Sequence, residues 1–380
     1  MSRSLHIVVD ARATTAHFPG VARATLGLLR GLSQIAHDHR VSVVSLPDAP
    51  PLTHPAFNDS RIARIVTQAT PLGLSQQWRL PILARALRAD LWHAPYYVRP
   101  LRGVPRPVVT VFDVIGHVVP GALPNLRARL LFEATLRLSL RTAAHIVTSS
   151  EATRRDLIAI YGVARESISV IPLAADESFG PRSVREISAL RDRYALPSRY
   201  ALYVGSNKPH KNLDALIRAW AQVETDAMLV IAGRWDRRFE SPKRLMRELW
   251  AHTSARPAMS RVRFLHDLPD LDLPALLSGA TMFVFPSRYE GFGLPPLEAM
   301  ACGAPVIVAN TSSLPEVVGD AGLLVAPDHE SLAEAIQRVL DDANLRDQLR
   351  ERGLERARQF SWARTARATI AVYEQGLRRY

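Results

Sequence analysis

One pattern, repeated along the chain, constrains the fold most. Short runs rich in valine and isoleucine alternate with longer segments of helical period. In the first half the runs are Leu5–Asp10, Val41–Leu46, Ala63–Val66, Leu91–His93, Val108–Phe112, Ile146–Ser149 and Ile168–Leu173. Helix-like segments such as Val21–Ile35, Ser75–Leu87, Asn125–Ala143 and Glu151–Tyr161 separate several of them. Apolar runs of this kind suit strands buried on both faces, and strands alternating with helices make βαβ units around a parallel sheet. The pattern then restarts with Tyr200–Gly205, Met228–Ala232, Val262–Leu265, Met282–Pro286, Pro305–Ala309 and Leu323–Val325. The stretch Glu177–Arg199, holding FGPRS and ALPSR, breaks the two series. The expectation is an α/β protein of two Rossmann-like, doubly wound domains, joined by a linker and facing a cleft.

Composition narrows the class. A chain of 380 residues, 47% hydrophobic and 22% charged, is ordinary globular material, and its length fits two domains. The single cysteine, Cys302, excludes a disulfide framework and a multi-thiolate metal site. In AMACGAP it reads as a small core residue rather than a nucleophile. The opening MSRSLHIVVDAR has too short an apolar run for a signal peptide, and no stretch approaches the roughly 18 apolar residues of a membrane span. A soluble, cytoplasmic protein is expected. The net charge of +12 is unevenly spread: residues 1–180 hold 20 arginines against 12 acidic residues. A basic first half suits an anionic partner, such as phospholipid headgroups, a lipid pyrophosphate or nucleic acid, or is simply a solvated arginine-rich surface. No nucleic-acid recognition module is apparent, so nucleic acid is not the expected partner. The first strand leads into DARATTAHFPG rather than a G-x-G-x-x-G turn, which disfavours a nicotinamide dehydrogenase.

The densest chemistry lies in FVFPSRYEGFGLPPLEAMACGAPVIVAN, residues 283–310. It reads as a buried strand, a glycine-bearing loop, a helix and a second buried strand. Gly291 and Gly293 permit a tight turn and close approach of a ligand. Pro295 and Pro296 suit a helix start, whose N–H groups and dipole favour phosphate. Glu290 precedes the loop and Glu298 is placed in the first turn of the helix; a carboxylate beside a phosphate site can grip a ribose diol. The same residues also read as a capped helix with two solvated glutamates. A second stretch, YALYVGSNKPHKNL, ends a strand at Gly205 and enters a helix near Asn212, a good N-cap residue. Of three lysines in the chain, Lys208 and Lys211 fall here beside His210, where a compact ammonium suits phosphate.

The stretch EGFGLPPLEAMACGAPVIVANTSSLPEVVGDAGLLVAP resembles the donor-binding signature of retaining glycosyltransferases of family 4, with Glu290 and Glu298 matching its E-x7-E motif. YVGSNKPHKNL is similar to a second segment of that family, and GVARATLGLL, LWHAPYY, VFDVIGHVVP, VTSSEATRRDLIAIYGV and the terminal FSW helix extend the resemblance over nearly the whole chain. The family has the GT-B fold. The resemblance implies an acceptor-binding domain over residues 1–180, a nucleotide-sugar donor domain over 181–360, and a helix over 361–380 crossing back to the N-terminal domain. It implies that Glu298 binds the ribose, that Glu290 faces the donor sugar, and that the N–H groups of Phe292, Gly293 and Leu294, beside Gly291, hold sugar hydroxyls and phosphate. Lys211 matches the lysine that neutralises the diphosphate leaving group, and Gly20 the glycine near the phosphates. Asp267 and Leu268 would lie beside the base. Such an enzyme takes a nucleoside diphosphate sugar as substrate and works without a bound metal. LPEVVGD resembles mannosyl- and rhamnosyltransferases of cell-surface polysaccharide assembly, which favours GDP-mannose as donor and a glycan on a lipid carrier as acceptor, at the inner face of the membrane.

Two positions depart from the family pattern. Phe112 precedes Asp113 where the family has histidine, and Ser206 follows Gly205 where many members have arginine. Phe112 carries the alternative of a nucleotide-sugar-binding homologue that acts as a partner or regulator rather than a transferase. Asp113 either orients its loop or faces the acceptor. His117 is a candidate on the acceptor side, and His93 is either such a candidate or a satisfied core histidine. Trp362, Ala366, Ile370, Tyr373 and Leu377 fall on one face of the terminal helix, which therefore docks. Asn125–Ala143 and Ser75–Leu87 are basic and amphipathic; each either packs its leucines on the domain's own sheet or lies on an anionic membrane.

Overall fold

The computed structural model describes residues 4–15, 19–49, 58–251, 256–266 and 268–378. The chain divides into two compact units, Met1–Ala174 with Phe360–Tyr380, and Ala175–Gln359. Each is a parallel sheet wrapped by helices.

The first unit holds β1 (His6–Asp10), β2 (Arg40–Ser45), β3 (Ile62–Val66), β4 (Leu91–Ala94), β5 (Pro107–Thr110), β6 (His145–Thr148) and β7 (Ile168–Val170), in the order β3-β2-β1-β4-β5-β6-β7. All neighbouring strands are parallel. Every apolar run of the first half is thus a strand. Alternation along β1 feeds both faces: Ile7 and Val9 pack with Leu28, Leu29 and Leu32, while Val8 packs with Leu80 and Ala84. The order reverses between β1 and β4, and at such a switch point the carboxyl ends of the strands open a ligand crevice.

The terminal helix, Trp362–Arg378, closes the first of those faces. Trp362, Ala366, Ile370 and Tyr373 are buried, and the side chain of Leu377 lies outside the described residues. The helix docks on Pro19–Gln34 because Gly27 and Gly31 leave a groove for it. A Cβ on Gly27 would stand 2.2 Å from the Trp362 ring, and one on Gly31 2.2 Å from the Trp362 carbonyl oxygen.

The second unit holds β8 (Tyr200–Val204), β9 (Met228–Ala232), β10 (Val262–Leu265), β11 (Met282–Phe285), β12 (Val306–Ala309) and β13 (Leu323–Val325), ordered β10-β9-β8-β11-β12-β13. Here too every pairing is parallel. The switch point falls between β8 and β11, the two strands that feed the motif loops. The helix Leu294–Ala301 that follows β11 begins with Leu294, Pro295 and Pro296.

Candidate active site

In the second unit the loops after β8 and β11 meet. Lys211 ends a single 3-10 turn, Pro209–Lys211, and its Nζ donates to Glu290 Oε1 at 2.7 Å. Both side chains are largely shielded, at 17% and 14% exposure, so the pair is more strongly coupled than a surface ion pair. The ammonium also stands 5.0 Å from the centre of the Phe285 ring, on the last residue of β11. One cation is therefore held between a carboxylate and a π face at the mouth of the switch point.

The loop after β11 is clamped by hydroxyl groups. Ser312 Oγ donates to the Glu290 carbonyl at 2.6 Å and accepts from the Glu290 N–H at 3.3 Å. Ser313 Oγ reaches the carbonyls of Glu290 and Phe292 at 2.9 and 2.7 Å, and Thr311 Oγ1 donates to the Ser287 carbonyl at 2.8 Å. Ser312 holds φ +52, a left-handed conformation that glycine or asparagine adopts more readily. Gly293 turns at φ +118, and a Cβ there would stand 2.9 Å from Leu314 Cδ2, so this position requires glycine. Pro295 and Pro296 have no N–H, and Leu297 donates to the Gly293 carbonyl. The donors of the helix start are thereby concentrated on Leu294 and the preceding loop. Glu298 is buried in the second turn of this helix rather than the first. In the sequence this clamp is marked only by three hydroxyl residues in succession after a strand, Thr311–Ser313.

Asn212 departs from expectation. It has φ +58, and its side chain caps no helix. Its Nδ2 instead donates to the carbonyls of Pro286 and Pro327, at 3.1 and 2.8 Å, tying the lysine loop to the strand end at Pro286. Asn207 ties the same loop outward, accepting from the Asp236 N–H at 2.7 Å and donating to the carbonyls of Asp236 and Phe239. His210 is buried, and burial lowers its pKa to about 4, so it is neutral beside Lys211. Ser206 meets this loop through its carbonyl, which accepts from Tyr203 Oη at 2.6 Å. Leu268 lies past the carboxyl end of β10, and Asp267 lies outside the described residues. Near that end Trp235 meets Phe264 edge-on at 5.4 Å, Phe264 stacks with His266, and Lys243 Nζ stands 4.5 Å from the centre of the Trp235 ring. Chemically, the unit joins a lysine, a glycine loop with oriented N–H groups and two carboxylates at one sheet edge. Such a set of groups can neutralise an anion and hold hydroxyl groups.

The remaining candidates belong to the first unit. Gly20 is exposed in the first turn of Pro19–Gln34. Asp113 Oδ1 accepts from the Ile115 N–H at 3.0 Å, orienting the turn Ile115–Val118. His117, on that turn, has Nδ1 2.6 Å from Glu133 Oε1, with Tyr161 Oη 3.3 Å from the same oxygen. His93 is fully buried, with Nδ1 2.6 Å from Tyr373 Oη and Nε2 2.9 Å from Thr110 Oγ1. Burial lowers its pKa to about 3, and both its nitrogens are used inside the fold. Phe112 lines an apolar cavity with Pro95, Thr148 and Trp362, surroundings that suit a phenyl ring. Cys302 is buried, and burial raises its thiol to about 12, which agrees with a core residue.

Known proteins carry the same two halves. The family model described as "Glycosyl transferases group 1" matches residues 189–356, and that of "Glycosyltransferase Family 4" matches residues 19–179. O-antigen chain mannosyltransferase B of Escherichia coli is 36% identical over 309 residues, 79% of this chain and 77% of the relative. Serotype-specific mannosyltransferase WbdA of Escherichia coli is 34% identical over 254 residues, 65% of this chain but 30% of its own length. Sucrose-phosphate synthase from Thermosynechococcus elongatus superposes with a TM-score of 0.75 at 23% identity, covering 100% of both chains. HepE from Anabaena, in complex with UDP and glucose, gives 0.73 at 19% identity over 98% of this chain and 100% of its own. Fold and loops together define a GT-B glycosyltransferase. The chain belongs to family 4, the group 1 glycosyltransferases, and its activity is that of a hexosyltransferase.

Proposed function

We propose that the protein transfers mannose, with retention of configuration, from GDP-mannose to a hydroxyl of a glycan on a lipid carrier, at the inner face of a membrane. The donor occupies the carboxyl edge of the second unit's sheet, and residues 1–180 take the acceptor. The observation that carries this reading is the Lys211–Glu290 pair at 2.7 Å, set at the clamped glycine loop. Breaking the sugar–phosphate bond places negative charge on the leaving diphosphate. Lys211 answers that charge, and the Phe292–Leu294 peptides supply oriented donors. Glu290 faces the sugar, Glu298 takes the ribose hydroxyls, and the base lies against Leu268 and the Trp235 cluster. Asp113 and His117 serve the acceptor side, Asp113 by holding its turn. Mannose is supported by the two E. coli relatives, both of them mannosyltransferases.

Calorimetric titration of GDP-mannose, UDP-glucose, UDP-GlcNAc and dTDP-rhamnose tests the donor site. GDP-mannose binding that Glu298→Ala abolishes is the expected result; folded wild type that binds none of the four would refute it. Phe112 in its apolar cavity favours one second reading, a donor-binding protein with little turnover. Bound donor left intact in the presence of lipid-linked acceptors would support that alternative.

A further inference from the structure

The first unit exposes apolar side chains that its own core does not use. The crossovers β3→β4 and β5→β6 run in the same direction across the sheet, so the right-handed rule puts their helices, Gln76–Ala86 and Leu126–Arg141, on one face. Their inner sides pack: Leu80 and Ala84 on the first helix, Phe132, Leu136 and Leu140 on the second. Their outer sides do not. On the first helix Trp78 is 55% and Ile82 61% exposed, with Leu74 just before it at 80%, and on the second helix Leu126, Leu130, Leu131 and Leu138 are all exposed.

The charge between these side chains has one sign. Arg79, Arg85 and Arg88 flank the first stripe, and Arg127, Arg137 and Arg141 the second, all exposed. No acidic residue occurs between Asp59 and Asp90. The only acid of the second helix, Glu133, is 18% exposed, and its carboxylate is engaged by His117, Tyr161 and Arg137.

We infer that these two helix faces form one docking surface for an anionic lipid bilayer, with the leucines and Trp78 in the headgroup–acyl boundary and the arginines on lipid phosphates. An apolar face interleaved with arginine matches a partner that is apolar in depth and negative at its surface. A second copy of the chain fits poorly, because a two-fold contact would set arginine against arginine. Nucleic acid would answer the arginines but leave the leucines wet. The contact is peripheral: among the described residues no helix is long and apolar enough to cross a membrane. The surface deepens, and for its purpose rests on, the lipid-linked acceptor proposed above, although its geometry belongs to these two helices alone.

Vesicle flotation of the full chain tests it. Wild type floats with phosphatidylcholine vesicles that contain phosphatidylglycerol, stays in solution with pure phosphatidylcholine, and is partly released by salt. The combined variant Trp78→Ser, Ile82→Ser, Leu130→Ser loses binding by about tenfold or more, since each residue removes buried apolar area. Arg79→Gln, Arg85→Gln, Arg127→Gln binds more weakly and with a flatter salt dependence. Donor titration of the same variants stays at the wild-type value, which keeps this test separate from that of the donor site. Equal binding to both vesicle types, flotation of the Trp78 variant at the wild-type level, or association of copies through these residues without vesicle binding would each overturn the inference.

Discussion

At the scale of single residues, the site rests on competition for one ammonium. Without donor, Lys211 belongs to Glu290 and the Phe285 ring. In the proposed reaction the donor diphosphate takes it from Glu290. Glu290→Gln should therefore bind GDP at least as tightly as wild type, yet transfer sugar at least about 100-fold more slowly, the scale seen when one charge-stabilising group is lost. Lys211→Ala should weaken GDP binding and slow transfer together. Calorimetry and steady-state kinetics on the same two variants separate the effects. Ser312 gives a sharper contrast. Its left-handed backbone costs about 1–2 kcal/mol, and its paired hydrogen bonds to Glu290 return about as much. Ser312→Gly should leave the melting temperature within a few degrees while kcat/KM falls about tenfold, because the Glu290 peptide loses its grip. A proportionate loss of stability and activity would mean that Ser312 only holds the fold.

At the scale of elements, the strands were legible because each is an apolar run too short for a buried helix, bounded by glycine, proline or charge. The helices between them carried their own period and caps, as with Asn125, whose side chain accepts from the Ala128 N–H. Legibility failed where a side chain answers to a distant backbone. Asn212 reads as a cap, but the carbonyls it serves lie on the loops after β11 and β13. The leucines of Leu126–Arg141 read as one amphipathic set, and the structure divides them between the sheet and solvent. Ser312 and Ser313 read as loop polarity until Glu290 is placed beside them. The docking of the terminal helix was legible on its own side, through the spacing of Trp362, Ala366, Ile370 and Tyr373. Its partner was not, because a groove made by Gly27 and Gly31 is an absence of side chains. Trp362→Ala should cost about 3–5 kcal/mol, read by urea denaturation, by emptying that groove.

At the scale of the whole molecule, each unit hides a histidine whose pKa burial depresses, His93 to about 3 and His210 to about 4. A histidine depressed on folding binds fewer protons in the native state than in the unfolded one. Its stabilisation is complete above the ordinary histidine pKa of about 6.5 and is lost as pH falls toward the folded value. Each group should cost about 1.4 kcal/mol per pH unit across that window, so both units should soften between pH 6 and 4.5. Melting curves over that range check the slope, and His210→Asn should remove the share of the second unit. The arginine excess of residues 1–180 suits the anionic bilayer proposed as the partner of that half. One measurement tests transfer from a nucleotide sugar at the Lys211–Glu290 site and its retention together. GDP-α-mannose and a lipid-linked glycan acceptor are followed by NMR at the anomeric position, with wild type and Lys211→Ala side by side. The expected result is a new α-linkage from wild type and a rate lower by at least about 100-fold from the variant; the proposed reaction allows no other outcome. A β-linkage, or transfer by Lys211→Ala at the wild-type rate, would contradict it.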